Sequence, residues 1–182
     1  LLNKTLQKEL TDFLFERLKY YMKEKEIRND IIEASINSNN LNNMNKLFKK
    51  GLTLNNVIKK QIGEDIVYSY KRAYNIIENE LKNEDIELSN KTDPGIFKND
   101  YEVNLLKKID ELKKYFTGID RDENYLESLS NLAASKEVIN NFFDNIKVNV
   151  EDKNIKKNRL ELLQMLCRTF DNYINFSNIE AK

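Results

Sequence analysis

Few side chains in this sequence could carry acid–base or nucleophilic chemistry. There is no histidine among the 182 residues, so the commonest general base is missing and a zinc site has almost no ligands. Acid–base work would fall to carboxylates or lysines, and no pair of them stands out from the solvated background. The single cysteine, Cys167, excludes an internal disulfide and lies among apolar positions of a helical pattern, so we interpret it as a core thiol. We interpret Asp144 as a hydrogen-bonding residue at a helix end rather than as an acid catalyst.

The charge balance argues against a generally basic nucleic-acid binder. Thirty lysines and arginines balance thirty aspartates and glutamates, so the net charge is zero and RNA binding would need a local patch. Lysine greatly outnumbers arginine, which a bias toward A/T-rich codons explains. The few arginines are of interest because lysine cannot replace the planar, bidentate guanidinium. They are Arg17, Arg28, Arg72, Arg121, Arg159 and Arg168.

The hydropathy and the first residues of the chain bear on membrane association and on whether the chain is a fragment. No run approaches the roughly twenty apolar residues that span a bilayer, and there is no secretory signal pattern. We therefore expect no membrane partner. The chain begins Leu1-Leu2 without Met, inside a helical pattern, so we expect a fragment of a larger protein or a processed one.

The hydrophobic pattern predicts an all-α fold. Apolar residues recur at three- and four-residue steps and almost never alternate singly, which is typical of helices. We predict an up-and-down helical bundle of roughly seven helices with short connections. The predicted helices cover about 4–26, 29 onward, 41–50, 54–81, 100–116 and 122–133, followed by a helix with Phe142 and Phe143 and a long closing helix. On the first helix we expect one inward stripe, made of Leu6, Leu10, Phe13, Leu14, Leu18 and Tyr21.

Glycines are predicted to mark most helix ends. Gly51, Gly95 and Gly118 each fall at the end of a periodic segment or in a turn, and only Gly63 lies inside a helical pattern. Gly63 either marks a close helix crossing or weakens its helix by roughly 1 kcal/mol relative to alanine. We predict one long loop, at residues 83–99.

The closing helix is preceded by a tight corner at 147–150. We expect Asn149 to cap the helix by accepting a hydrogen bond from the backbone of Asp152, which lies where the helix dipole favours negative charge. The helix shows a single apolar face that must be buried. This face consists of Ile155, Leu162, Leu163, Leu166, Phe170, Tyr173 and Ile174.

Three short runs in this region resemble a known family. The runs NFFD (141–144), VNVED (148–152) and NRLELL (158–163) are similar to the C-terminal end of the β subunit of bacterial glycyl-tRNA synthetase. That subunit belongs to the helical anticodon-binding domains named for an Asp-Ala-Leu-Arg motif. The motif corresponds to Asp152, Ile155 and Lys156, so its arginine is a lysine here, which keeps the charge and loses the bidentate geometry.

The resemblance extends over nearly the whole chain. Runs at 16–18 with 27–32, and at 71–77, are similar to helices that precede and connect the same domain. The resemblance implies that residues 53–182 form the anticodon-binding domain and that residues 1–52 end the preceding domain. It also implies a cytoplasmic chain that binds glycine tRNA without catalysis, alongside the rest of the β subunit and an α subunit that uses ATP and magnesium. We expect no cofactor in this chain.

Anticodon recognition needs cations for phosphates, planar groups that stack on bases, and amides that reach base edges. Two groups of residues supply the cations and amides. The corner group is Lys147, Asn149, Lys153, Lys156, Lys157, Asn158 and Arg159, and the upstream group is Lys71, Arg72 and Asn75.

Each of these candidates has a structural alternative. The lysines could form a solvated helix face, and Arg159 could make a salt bridge to Asp144 or Asp171. Phe142 and Phe143 are expected in the core. For Tyr68, Tyr70 and Tyr74 we expect positions in the core or at its rim rather than stacking on bases.

Two rival functions remain open. One is a helical protein-docking module without RNA contact, which a large exposed apolar patch would favour. The other is an anticodon-binding domain of another synthetase of the same helical class. One contiguous positive surface at the corner would favour tRNA binding.

Overall fold

A computed structural model describes residues 4–37, 43–118 and 124–180 of the chain. Its helices are α1 (Lys4–Glu24), α2 (Asn29–Ile36), α3 (Met44–Val57), α4 (Gln61–Asn83), α5 (Asp100–Gly118), α6 (Tyr125–Ala133), α7 (Lys136–Asn145) and α8 (Lys153–Phe170). Short 3-10 turns occupy Pro94–Ile96 and Phe176–Asn178. The described parts contain no strand, which confirms the predicted all-α class. The predicted helix starts at 41 and 122 lie outside the described residues.

Helix α8 lies at the centre of the fold. It packs against α4 and α5, while α4 also contacts α6 and α7. Its side chains are buried around most of its circumference, as expected for a helix enclosed by neighbours. The fully buried apolar residues of α8 are Leu160, Leu162, Leu163, Leu166 and Phe170.

Asp152, and not Asn149, caps α8, so the predicted cap was wrong. The Asp152 carboxylate accepts hydrogen bonds from the backbone N–H groups of Asn154 (2.9 Å) and Ile155 (3.1 Å). The first helical residue is Lys153, and the capping side chain is supplied by the residue directly before it.

Residues 171–180, here called the C-terminal segment, turn back over α2 and α4. Tyr173 and Ile174, predicted in the closing helix, are instead buried in this segment after α8 ends at Phe170. The backbone N–H of Asn175 donates to the carbonyl of Ala34 at 3.0 Å, which holds the segment against α2.

The predicted inward stripe of α1 is correct only at Leu18. Leu18 and Met22 are buried, but Leu6, Leu10, Phe13, Leu14 and Tyr21 are exposed. Neighbouring helices α2 and α3 pack on the second half of α1, and every described side chain from residue 5 to residue 14 is exposed. None of the described helices combines the length and the apolar character that a bilayer span requires.

Gly51 lies within a helix, so the predicted helix end at this residue was wrong. Helix α3 continues through it to Val57, and the predicted domain boundary after residue 52 falls inside α3. A Cβ atom at Gly51 would lie 2.7 Å from Cε of Met22 and 2.8 Å from Oγ of Ser35. The glycine therefore permits close packing of α3 on α1 and α2.

Gly63 marks a close approach of the chain, one of its two predicted roles. A Cβ atom there would overlap the backbone of Val57 and Ile58, which cannot move aside as a flexible side chain can. We expect Gly63→Ala to lower the free energy of unfolding by about 1–3 kcal/mol, although alanine favours helices. Urea unfolding followed by circular dichroism measures the change.

Gly51→Ala is the matched control for this prediction. The added methyl group there meets only the ends of the Met22 and Ser35 side chains, so the loss of stability should be clearly smaller. Equal stability of Gly63→Ala and wild type would contradict the close approach at Gly63.

Candidate nucleic-acid interface

Lys156 of the corner group is buried inside the fold. Its side chain is 3% exposed, and Nζ lies 2.6 Å from Oε2 of Glu80 and 2.8 Å from Oε1 of Glu84. Hydrogen bonds to Glu80 and Glu84 raise the pKa of the Lys156 ammonium. Two carboxylates thus neutralise this cation and tie α8 to the end of α4.

Arg159 is also buried, in the salt bridge foreseen as its alternative role. Its partner is Glu102 of α5, at 2.7 Å between Nε and Oε1, rather than Asp144 or Asp171. The exposed fractions of the two side chains are 8% and 1%. Nη1 of Arg159 donates to the carbonyl of Lys147 at 2.8 Å, so one guanidinium joins α8, α5 and the corner.

Asn158 holds the loop between α4 and α5. Its Oδ1 accepts hydrogen bonds from the backbone N–H of Asp93 (2.7 Å) and from Oγ1 of Thr92 (2.9 Å), and its Nδ2 donates to the carbonyl of Asp93 (3.1 Å). One helical turn further on, Glu161 accepts hydrogen bonds from the backbone N–H and the hydroxyl of Ser89. These polar side chains of α8 bind the loop rather than facing solvent.

Four residues of the corner group remain at the surface. Lys147, Asn149, Lys153 and Lys157 are exposed. The first three, with Lys156, line a shallow cavity of about 350 Å³ whose wall also includes Glu84 and Glu151. The corner surface therefore mixes both signs of charge.

The upstream group lies in a larger cleft along one face of α4, here called the α4 cleft. Its volume is about 730 Å³. Four cationic and two acidic side chains line it, a formal net charge of +2. The lining residues are Arg28, Ile58, Lys59, Glu64, Val67, Tyr68, Lys71, Arg72, Asn75 and Glu180.

Three residues that line the cleft were not predicted as site residues from the sequence: Arg28, Lys59 and Tyr68. Arg28 was noted only as one of few arginines, and Lys59 was not among the candidates. Tyr68 lies four residues before Arg72 and seven before Asn75, so the helical repeat places all three on one face. That repeat was the available signal.

Lys71 and Arg72 are held in the cleft by contacts within the chain. Nζ of Lys71 donates to the carbonyl of Ser177 at 2.9 Å, and burial lowers the pKa of its ammonium while the Asp30 carboxylate opposes that shift. The Arg72 guanidinium lies 4.5 Å from the ring centre of Phe143, and its Nη2 is 3.3 Å from Oδ1 of Asp144. Asp144 thus acts as an ion-pair partner near the end of α7.

The aromatic residues divide between core and rim. Phe142 is fully buried as expected, whereas Phe143 is half-buried beneath Arg72. Tyr70 is in the core and Tyr74 is half-buried, while the Tyr68 side chain stands at the edge of the α4 cleft with half of its surface exposed. Of these five aromatic residues, Tyr68 is the most exposed.

Cys167 is buried in the core, beside the half-buried Asp171. Burial raises the pKa of the Cys167 thiol, which keeps it protonated. Burial also raises the pKa of Asp171 to about 6. Asp171 accepts hydrogen bonds from the backbone N–H of Phe176 (2.9 Å) and from the hydroxyl of Tyr70 (3.3 Å), and so anchors the C-terminal segment, whose Glu180 lines the cleft. Within the described residues, no group of three acidic, cysteine or histidine side chains could hold a metal ion.

The chain is similar to one family of domains and to relatives that share one name. A family model described as the DALR anticodon binding domain matches residues 66–182. The chain is 32% identical over 168 residues to the glycine–tRNA ligase beta subunit of Rickettsia typhi, covering 92% of this chain and 24% of that protein. It is 30% identical over 171 residues to the subunit of the same name from Persephonella marina, covering 94% of this chain and 23% of the relative. The chain thus spans about a quarter of the length of the curated relatives it matches.

The buried Arg159–Glu102 ion pair should contribute to the free energy of unfolding in a way that mutation can test. Arg159→Ala would leave Glu102 buried without its cation, so we expect a loss of about 3–5 kcal/mol in the free energy of unfolding. Lys157→Ala, two residues earlier and exposed, should change it by less than about 0.5 kcal/mol. Urea unfolding of both variants tests this, and equal stabilities would contradict the assigned role of Arg159.

The raised pKa of Asp171 predicts how the free energy of unfolding depends on pH. Between the ordinary pKa of 3.8 and the folded value of about 6, the folded chain keeps a proton that the unfolded chain has released. The contribution of Asp171 to the free energy of unfolding therefore decreases as the pH rises through this window. Asp171→Asn cannot ionise, so its stability relative to wild type should increase across the same window.

Urea unfolding at several pH values measures that difference. Asp85→Asn, at an exposed position, corrects for the general effect of removing one carboxylate. A stability difference between Asp171→Asn and wild type that does not change with pH would contradict the raised pKa.

Proposed function

We propose, because this chain belongs to the DALR anticodon binding domain family, that it binds the anticodon arm of a transfer RNA. The names of the relatives support glycine tRNA as that RNA and glycyl-tRNA synthetase as the enzyme it serves. In this proposal the chain is a non-catalytic part of a cytoplasmic β subunit, and the α subunit uses ATP and magnesium to ligate glycine. The division into residues 1–52 and 53–182 remains a prediction.

The α4 cleft is the single observation that most supports RNA binding. It gathers four cations, an amide and an exposed aromatic ring in one concave surface. Cations supply most of the affinity of proteins for RNA through phosphate contacts, while amides and rings read and stack unpaired bases. These are the groups that a splayed anticodon loop requires.

Only the exposed residues of the corner group are part of this proposal. Lys147, Asn149, Lys153 and Lys157 are exposed and available for phosphates or bases. The other three residues of the corner group, Lys156, Asn158 and Arg159, use their polar atoms inside the chain. We propose that those three support the loop and the corner rather than contact RNA.

The exposed face of α1 favours a second role, in protein docking. Leu6, Leu10, Phe13 and Leu14 lie at a helical spacing and are each at least 40% exposed. The relatives are about four times as long as this chain, so a larger polypeptide offers surfaces to cover this face. We propose that it packs against the rest of the β subunit, separately from the cleft.

Binding of the chain to glycine tRNA over a salt series tests the main proposal. We expect the dissociation constant to rise steeply with salt. Lys59→Ala and Arg72→Ala should each weaken binding. Each should also reduce the slope of log Kd against log salt concentration by roughly 1, the amount expected for the loss of one phosphate contact. Lys114→Ala, on the exposed face of α5, is the control and should bind as wild type does.

A glycine tRNA with a substituted anticodon separates reading from simple docking. Tighter binding of the native anticodon supports the proposal as stated. No binding to either tRNA at low salt would overturn it and leave the docking role of α1.

A further inference from the structure

We infer that the α4 cleft is a binding site for one unpaired RNA nucleotide, whose base stacks on Tyr68 while its phosphate is bound by Arg72 and Lys59. This inference rests on the proposed function and names the group of the RNA that enters the cleft. It follows from the exposure of one ring, the fixed position of one guanidinium, and the size and charge of the cleft.

Tyr68 is half-exposed, whereas Tyr70 on the same helix is buried. Tyr70, two residues later, is 2% exposed, whereas Tyr68 is 50% exposed. Arg72 and Lys136 each lie over the Tyr68 ring at 6.0 Å from its centre, and Lys136 also pairs with Asp65 at 2.6 Å. An exposed aromatic ring beside cations is the arrangement by which proteins stack unpaired bases and hold the adjacent phosphates.

Arg72 is held in position and still has unused donors. Nη1 lies 3.4 Å from the hydroxyl of Tyr68 and 3.4 Å from Oδ1 of Asn140, and Nη2 lies near Asp144. A guanidinium has five N–H groups, and within the described residues these contacts use three of them. The remaining Nε–H and one Nη2–H are available to a phosphate, and the side chain is 29% exposed.

The size and charge of the cleft fit one nucleotide. About 730 Å³ is within the range of roughly 300–1,000 Å³ for small-ligand sites. The lining acids Glu64 and Glu180 limit the formal net charge to +2, which suits one phosphodiester better than a triphosphate. Asn75 is exposed in the same cleft and offers both a donor and an acceptor to a base edge.

A tryptophan reporter tests this inference directly. The chain contains no tryptophan, so Tyr68→Trp places a single indole at the proposed stacking position. The probes are the anticodon stem-loop of glycine tRNA, a fully paired RNA hairpin of equal charge, and cytidine and adenosine monophosphates. We expect the stem-loop to quench the indole fluorescence at a lower concentration than any other probe.

Affinity measurements complete the test. Tyr68→Ala should weaken stem-loop binding about 5- to 150-fold, and Tyr68→Phe should restore it because the ring is kept. Tyr101→Ala, at another exposed tyrosine, is the matched control and should bind as wild type does. Unfolding curves of the variants check that half-exposed Tyr68 is dispensable for folding.

The outcomes separate this inference from the proposed function. Failure of the wild-type chain to bind any tRNA overturns both. Normal tRNA binding by Tyr68→Ala, with no quenching of the reporter, overturns only the nucleotide site. Quenching by the paired hairpin as strong as by the stem-loop, or by a monophosphate but not by the stem-loop, would also overturn the assignment to an unpaired RNA nucleotide.

Discussion

Arg159 and Glu102 form an ion pair in the interior, where neither charge is solvated by bulk water. A buried pair gains little over an apolar pair of similar volume, but it tolerates few alternative arrangements once it has formed. Glu102 also accepts hydrogen bonds from the backbone N–H groups of Lys98 and Asn99, and Arg159 holds the carbonyl of Lys147. The pair thus fixes the start of α5, the middle of α8 and the corner relative to one another.

Other polar residues of α8 extend this constraint to the loop between α4 and α5. Asn158 and Glu161 bind the loop backbone, and Lys156 binds the end of α4. A central helix with buried polar groups needs partners for all of them, because an unpaired buried group costs roughly 1–3 kcal/mol. In the function we propose, the surface for RNA is left to cations that these contacts do not use, above all those of the α4 cleft.

The sequence predicted much of the fold because helical periodicity is a local property. Most helices follow from spacing alone, although α3 continues past the predicted start of the next helix at 54. The buried positions of Leu162, Leu163, Leu166 and Phe170 in α8 were predicted, and so was Phe142 in the core. Partners distant in the chain were not predictable: Arg159 lies 57 residues from Glu102, and one sequence without an alignment carries no signal for that pair. The predictions about Gly51 and the α1 stripe were wrong for a related reason. A glycine serves a tight helix contact as well as a helix end, and an apolar stripe is buried only as far as neighbouring helices extend.

The candidate site was predictable only in part. Lys71, Arg72 and Asn75 were identified and do line one cleft, but residue type alone does not separate an exposed cation from one held by carboxylates. Lys156 and Lys157 are adjacent in the sequence, yet one is buried between two glutamates and the other is exposed. The α4 cleft also needs Arg28 and Lys59, which come from outside α4, and their approach depends on tertiary packing.

We propose that RNA binds at Arg72 and not at Arg159. The chain has only six arginines, so the side-chain Nε–H signals can be followed individually by NMR as the anticodon stem-loop of glycine tRNA is added. We expect the Arg72 signal to shift until binding is saturated, while the Arg159 signal stays in place because Glu102 fixes its side chain. A shift at Arg159 with no change at Arg72 would contradict it.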